Sequence, residues 1–390
     1  MATAEARRRV EAPGTPEQAA DLVRTLTDEG RAVRPVGGRT KLAWGTPTPE
    51  PDVELSTENL ASVVEHNAGD YTIRVGGGMR LDDLDRVLEP VGQRLVLDPP
   101  LGAGEAATVG GLISTADSGP NRHRLGGPRD LVLGVTVVLS DGTVARAGGR
   151  VIKNVAGYDL SKLYTGAFGT LGLVAEVALR LHPRPARTAT LVGESDDPGA
   201  LAAAAVHLAH AALEMDCLDL RWEAGAGTVL GRFGGAAAVE AARAGAPVLA
   251  EAALAGRVEE DDDELWARQR AAQRSGDGAV VKVSAVQTAL ADVLRAADRA
   301  SGTVVARAAH GLAWVALAPR EPEKLAEAIE GLRLDLAPAP CVVQDAPAEV
   351  RERVDVWGVS EGPALDLMRQ VKPRFDPAGT WNRGVYIGGI

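Results

Sequence analysis

Two glycine-rich stretches carry the residues best suited to chemistry in this chain. The first is Pro35-Val36-Gly37-Gly38-Arg39-Thr40-Lys41, which follows a short strand-like run from Arg31 to Val36. The second is Thr108-Val109-Gly110-Gly111, which opens a helical run from Leu112 to Asp117. Glycine lets a backbone take φ > 0 or come close to another group. Exposed N–H groups in such turns, or at a helix N-terminus, form an anion-binding concavity. Further glycines punctuate the chain between Gly102 and Gly172, separated by β-branched runs. This pattern suits a backbone shaped around a dinucleotide and its pyrophosphate, with Arg39 or Lys41 near the negative charge. An ordinary Gly-Gly turn uses the same residues. The loop is neither a P-loop nor the GxGxxG fingerprint.

Other chemistries find less support. The histidines are His66, His123, His182, His207, His210 and His310. His207 and His210 share a helix face at i and i+3, but no third ligand has suitable spacing, so no metal site is predicted. Cys217 and Cys341 are too few for an iron–sulfur cluster, and no CxxC is present. The run Glu259 to Glu264 reads as an acidic, solvated helix start favoured by the helix dipole, with a docking patch for a basic partner as the alternative. A net charge of −11 argues against nonspecific nucleic-acid binding. MATAEARRRV lacks the apolar core of a secretory signal, and no run of about 18 apolar residues exists to span a membrane. A cytoplasmic protein is expected, with attachment to the inner face of the membrane through partners left open.

The elements around the loops follow from periodicity. A chain of 390 residues exceeds one ordinary core. Residues 1–14 read as a loose arm. Thr15 as N-cap, Pro16 and Gln18 start a helix with Ala19, Leu22, Val23 and Leu26 on its apolar face. Val53 to Leu55 is a strand, after which Ser56-Thr57 caps an expected helix carrying Leu60, Val63 and Val64. Tyr71 to Val75 is a strand, and Leu81, Leu84, Leu88 and Val91 mark a helix stopped by Gly92. Leu131 to Leu139 and Thr143 to Ala147 form a hairpin around Asp141-Gly142. From Leu171 to Leu181 apolar residues alternate, as in a half-buried strand. Pro183 and Pro185 mark a boundary. Beyond it, Thr190 to Ala244 and Ala279 to Gln344 each read as a ferredoxin-like pattern, suggesting an antiparallel sheet with helices on one face.

Several pieces, in order and spacing, resemble the FAD-binding domain of the vanillyl-alcohol oxidase / p-cresol methylhydroxylase superfamily over roughly residues 15–185. They are the Pro35–Lys41 loop, Asp98-Pro99-Pro100 with Thr108-Val109-Gly110-Gly111, and Gly169-Thr170-Leu171-Gly172-Leu173-Val174. Lys153-Asn154-Val155-Ala156-Gly157-Tyr158-Asp159-Leu160 and the chain length are most similar to the FAD-binding E subunits of glycolate dehydrogenase (glycolate oxidase). The resemblance implies an α+β fold: a PCMH-type FAD-binding domain (1–185), a ferredoxin-like antiparallel-sheet cap (186–346), and a C-terminal segment (347–390) returning to the first domain. It implies that Val36, Gly37, Gly38, Arg39, Thr40, Lys41, Pro99, Thr108, Val109, Gly110, Gly111, Ser114, Thr115, Gly119, Gly126, Asp130, Gly172, Val174 and Asn382 meet FAD. Asp130 reads equally as a strand-entry turn residue. At the C-terminus Arg383 stands where the family usually has proline. Some relatives bind FAD covalently through His or Cys in these loops; here only His123 is near, so noncovalent FAD is expected.

Flavin dehydrogenation of a 2-hydroxy acid needs a cation for the carboxylate and a base for the hydroxyl proton. Lys153, Asn154 and Tyr158 are the polar candidates for the substrate, although Asn154 and Asp159 could equally satisfy loop backbone groups. The catalytic base is not identified, and the metal-binding His-rich motifs of catalytic relatives are missing. The resemblance therefore implies an FAD-binding subunit of a glycolate (2-hydroxy-acid) dehydrogenase complex. It would exchange electrons with an FAD-containing catalytic subunit and an iron–sulfur subunit. The alternatives are a self-sufficient FAD-dependent dehydrogenase or oxidase and a non-catalytic scaffold.

Overall fold

The computed structural model describes residues 9–149, 158–359 and 361–390. Strands β1 (Arg9–Glu11), β2 (Val33–Val36) and β3 (Val53–Ser56) form a parallel sheet in the order β1-β3-β2. The helix Pro16–Asp28 packs on it through Ala19, Val23 and Leu26. Thr15 Oγ1 accepts from Gln18 N at 3.1 Å, so the expected N-cap is made. Gln18 Oε1 reaches back to Gly14 N at 2.8 Å. The expected loose arm is in part strand: Arg9–Glu11 pairs with Val53–Leu55 through its backbone, which needs no apolar side chains.

Strands β4 (Val63–Asn67), β5 (Thr72–Gly76), β6 (Gln93–Arg94), β7 (Val132–Val138), β8 (Val144–Gly148), β9 (Leu173–Arg180) and β10 (His182–Pro183) follow. Five of them form an antiparallel sheet, β4-β5-β9-β7-β8, and β6 pairs with β10. The helix expected after Ser56-Thr57 is instead a bend and strand β4. Ser56 Oγ accepts from Glu58 N in a local turn rather than capping a helix. Leu60 is buried while Val63 and Val64 face solvent, so the three share no apolar helix face. Cross-strand pairing with β5 wins for these β-branched residues.

The remaining strands make one eight-stranded antiparallel sheet. They are β11 (Thr188–Ser195), β12 (Cys217–Glu223), β13 (Ala226–Gly234), β14 (Gly256–Glu259), β15 (Ala279–Ser284), β16 (Gly302–Arg307), β17 (Leu312–Leu317) and β18 (Cys341–Asp345). The order is β14-β11-β13-β12-β16-β17-β15-β18. Each half has the ferredoxin-like order of a βαββαβ unit, and the halves join edge to edge through β12 and β16. Alternation sorts the faces. Val281, Val283, Val304, Ala306, Ala313 and Val315 point to the helices Pro198–His210, Leu290–Arg299 and Pro322–Leu336. Asp219, Arg307, Trp314, Lys282 and Gln344 fall on the opposite face.

The acidic run is not simply solvated. Glu259 ends β14, and Asp262 is 1 % exposed. Asp262 accepts from Thr188 Oγ1 (2.9 Å), Thr190 Oγ1 (2.6 Å) and Arg232 Nη2 (2.7 Å) before the helix Asp263–Ala271 begins. The C-terminal segment returns to the first sheet: Trp381 is fully buried there and donates from Nε1 to Gly169 O at 2.8 Å.

Candidate functional site

A cavity of about 480 Å³ opens where the two glycine-rich stretches meet. Its walls include Val36 to Lys41, Thr108, Gly110, Gly111, Ser114, Thr115, Gly172, Val174 and Asn382, so most of the expected cofactor residues converge. Pro99, Val109, Gly119, Gly126 and Asp130 do not line it. Val109 is buried in the core as the first residue of the helix Val109–Thr115. Asp130 Oδ2 accepts from Gly127 N at 2.8 Å, which is the strand-entry alternative. Of the substrate candidates, Tyr158 is 94 % exposed and outside the cavity lining. Lys153 and Asn154 lie outside the described residues.

Backbone geometry makes the cavity suited to an anion. Among the described residues, the N–H groups of Gly37, Gly38, Arg39 and Thr40 have no acceptor within the chain. Four adjacent donors lining one cavity form the concavity expected for a phosphate. Gly38 is required by close approach: a Cβ there would sit 1.5 Å from Ala106 O. Arg39 holds φ at 59°, a left-handed value that bends the loop inward. Thr108 caps the second helix by accepting from Gly111 N at 3.3 Å.

The loop cations are already matched by carboxylates. Arg39 Nη2 lies 2.6 Å from buried Glu54, and Lys41 Nζ lies 3.3 Å from buried Asp117. Both cations expected near the pyrophosphate line the cavity, and each is paired with a carboxylate of the chain. In this loop the uncompensated donors are backbone N–H groups.

The opposite wall comes from residues with little sequence signal. Ala348, Arg351 and Glu352 close the cavity from the far side, and Arg351 Nη2 donates to Gly45 O at 2.7 Å. Trp44 and Phe168 also line it. Phe168, Trp357 and Tyr386 form a ring cluster with centroids 5.0–5.5 Å apart, joining three distant parts of the chain. Only Phe168, next to the Gly169 motif, had a nearby signal. Asn382 donates from Nδ2 to Phe168 O at 2.7 Å, which fixes the C-terminal segment against this wall.

A second polar layer lies between residues 117–124 and the open face of the eight-stranded sheet. Arg307 and Asp219 are both fully buried and paired at 2.6 Å. His123 and His310 have ring centroids 6.1 Å apart. Burial pushes the Asp98 carboxyl up to about 6 despite Arg270 nearby. Burial, with His310 adding, pushes His123 down to about 4. His207 and His210 are elsewhere: His210 Nδ1 binds Val206 O, and His207 faces Glu251 at 3.8 Å.

Comparison with known proteins agrees with this geometry. Residues 8–148 match the profile of the FAD binding domain family. An uncharacterized FAD-linked oxidoreductase of Mycobacterium tuberculosis (strain ATCC 25618 / H37Rv) is 26 % identical over 96 % of this chain and 90 % of that protein. Glycolate oxidase subunit GlcE of Escherichia coli (strain K12) is 35 % identical over 40 % of this chain and 43 % of that protein. A solved structure of alkyldihydroxyacetonephosphate synthase superposes with a TM-score of 0.70 over 95 % of this chain and 75 % of its own, at 15 % identity, which establishes a shared fold. The chain carries an FAD-binding domain of the PCMH type joined to an antiparallel-sheet domain, FAD is its cofactor, and the relative that matches it over nearly its whole length is an FAD-linked oxidoreductase.

Proposed function

We propose that this chain is the FAD-binding subunit of a glycolate-type 2-hydroxy-acid dehydrogenase complex. The observation that carries the reading is the cavity whose four unpartnered N–H groups, Gly37 to Thr40, face the helix opened by Thr108. The substrate class draws its support from the 35 % match to a glycolate oxidase subunit. Bound FAD supplies two-electron acceptance from a hydroxy acid and one-electron release to a partner. The chain's own residues bind and orient. The Gly37–Thr40 donors hold the pyrophosphate, Ser114 and Thr115 line the inner wall, and Asn382 anchors the returning segment. Among the described residues the cavity lining holds no His or Cys, which supports noncovalent attachment.

Electrons would leave through partners, because two cysteines cannot build a cluster in this chain. The partners in this reading are an FAD-containing catalytic subunit and an iron–sulfur subunit. Among the described residues no helix is long and apolar enough to cross a membrane, so any membrane contact in this reading is peripheral and made through partners.

The test is an anaerobic visible spectrum of the purified, FAD-loaded chain before and after glycolate or D-lactate, then with partner subunits added. Oxidised flavin that bleaches only with partners supports the subunit reading. Bleaching in the chain alone replaces it with a self-sufficient dehydrogenase. A chain that never takes up FAD overturns the flavin assignment itself.

A further inference from the structure

Three successive carbonyls of one cavity loop are taken by side chains from the far end of the chain. Asn382 Nδ2 donates to Phe168 O at 2.7 Å, Trp381 Nε1 to Gly169 O at 2.8 Å, and Lys372 Nζ to Thr170 O at 2.8 Å. Phe168 and Asn382 both hold left-handed backbone, with φ of 53° and 37°, which is uncommon outside glycine. The hydrogen bond between them fixes the two turns against each other. A trans peptide sets its N–H opposite its C=O. With Phe168 O turned to the C-terminal segment, the Gly169 N–H points away from that segment. Among the described residues this N–H has no acceptor within the chain, and Gly169 lines the cavity.

Lys372 gathers this arrangement. It projects from the helix Pro363–Phe375, and three acceptors surround its ammonium, matching its three donors. They are Thr170 O, Trp381 O at 2.7 Å and Asp376 Oδ2 at 2.8 Å. Asp376 is buried and accepts in turn from Thr380 N at 3.2 Å and Trp381 N at 3.1 Å. Water does not reach in to replace the lysine: burial lowers its ammonium from the usual range, although Asp376 acts the other way. The same C-terminal segment pairs with β2 on its other side. Val33 N donates to Thr380 O at 2.9 Å, and Asn382 N to Val33 O at 2.8 Å. Strand β2 runs directly into the Gly37–Thr40 donors. Residues 380–382 therefore stand between the two backbone walls of the cavity and set their spacing.

We infer that Lys372 is a positioning residue for the cofactor: by binding Thr170 O and Trp381 O together, it holds the Gly169 N–H toward FAD. Lys372 does not line the cavity, so it acts through the loop and not by contact. Without the ammonium, Thr170 O and Trp381 O lose their shared donor, and Asp376 is left as a buried carboxylate without its counter-charge. The peptide between Phe168 and Gly169 is then free to turn, and the N–H leaves the cavity. The inference concerns FAD alone and does not depend on the substrate class or on partner subunits.

The test titrates FAD into ¹⁵N-glycine-labelled full-length chain and follows the amide resonances by NMR. In the unsubstituted chain FAD shifts the Gly37, Gly38 and Gly169 amides. In Lys372→Met FAD affinity is expected to fall about tenfold, or about 1.4 kcal/mol. At saturating FAD that variant loses the Gly169 shift and keeps those of Gly37 and Gly38, a selective change that general destabilisation does not produce. Asn382→Gly covers the case in which Lys372→Met folds poorly. It leaves every charge paired, tolerates the left-handed backbone and removes only the donor to Phe168 O, so the Gly169 shift should again be lost. Arg374→Met, at an exposed position on the same helix, leaves affinity and shifts unchanged. A Gly169 amide that FAD does not move in the unsubstituted chain overturns the inference. So does a Gly169 shift that persists in folded Lys372→Met, or in Asn382→Gly where Lys372→Met does not fold. Loss of all three shifts together in a folded Lys372→Met shows a collapsed cavity and overturns the selective role of Lys372.

Discussion

Trp44 donates its indole N–H to Asp345 at 2.9 Å, joining the cofactor loop to the last strand of the cap across 301 positions of sequence. Asp345 also receives Arg274 Nε at 2.6 Å, and Arg274 Nη2 reaches back to Thr40 O at 3.0 Å. Arg274 stacks on the same indole at 5.2 Å. The loop that offers its N–H groups to the cavity is therefore held from outside its own domain. Order in the phosphate cradle depends on the cap being docked.

Asp345→Ala should loosen both. It leaves Arg274 without its counter-charge and the Trp44 N–H without an acceptor, at a cost of about 2–4 kcal/mol. FAD affinity should fall about tenfold, or about 1.4 kcal/mol, as the loop loses its clamp. Trp44→Phe keeps the ring and forfeits one hydrogen bond, so a loss of about 1 kcal/mol is expected. Urea unfolding and FAD titration measure the two effects; equal FAD affinity in Asp345→Ala and the unsubstituted chain contradicts the clamp.

Two adjacent aspartates should behave oppositely. Asp262 is buried and accepts from Thr188, Thr190 and Arg232, so Asp262→Ala should destabilise by about 3–5 kcal/mol. Asp263 is 91 % exposed, and although it lies 2.8 Å from Arg232, Asp263→Ala should change stability by less than about 1 kcal/mol. Thermal melting of the two variants decides it.

That contrast shows where the sequence was legible. Local rules were enough for most of the elements: Thr15 caps its helix, the Asp141-Gly142 hairpin forms, and both ferredoxin-like halves appear in order. The glycine stretches also marked most of the cavity, because strand-loop-helix punctuation is written locally. What failed was burial decided by partners far along the chain. Nothing near Asp262 reveals that Thr190 and Arg232 will enclose it. Likewise nothing near Arg39 or Lys41 reveals that Glu54 and Asp117 will neutralise them. Trp44 and Arg351 owe their contacts to docking between sheets, which periodicity does not encode. The same is true of Val63 and Val64, whose spacing mimics a helix while pairing with β5 makes them strand.

Two buried groups should give stability opposite dependences on pH. Asp98 rises from 3.8 to about 6 on folding, so the folded state holds a proton that the unfolded state has lost. Its contribution is greatest below about pH 4 and declines as pH rises to 6. His123 falls from 6.5 to about 4, so its contribution is full above pH 6.5 and declines as pH falls to 4. Relative to the unsubstituted chain, Asp98→Asn should gain about 2–3 kcal/mol between pH 4 and 6, and His123→Asn should lose a similar amount between pH 4 and 6.5. Urea unfolding across this range tests both signs; parallel curves for all three proteins contradict the assignment.

The phosphate cradle makes the sharpest demand on a single atom. At Gly38 an added Cβ would overlap Ala106 O at 1.5 Å, backbone against backbone, so the loop must shift to admit it. The shift moves the Gly37–Thr40 donors out of register with the pyrophosphate they are proposed to hold. Gly38→Ala should therefore purify with little flavin, reducing the ratio of visible to ultraviolet absorbance at least tenfold. The global fold should survive, because the loop lies outside the three large cores. Gly69 supplies the matched control. Nothing lies within 4 Å of its added Cβ and its φ is not positive, so Gly69→Ala should retain flavin and change stability by less than about 1 kcal/mol. Full flavin occupancy in Gly38→Ala would show that the pyrophosphate is held elsewhere, and the four unpartnered donors would need another ligand.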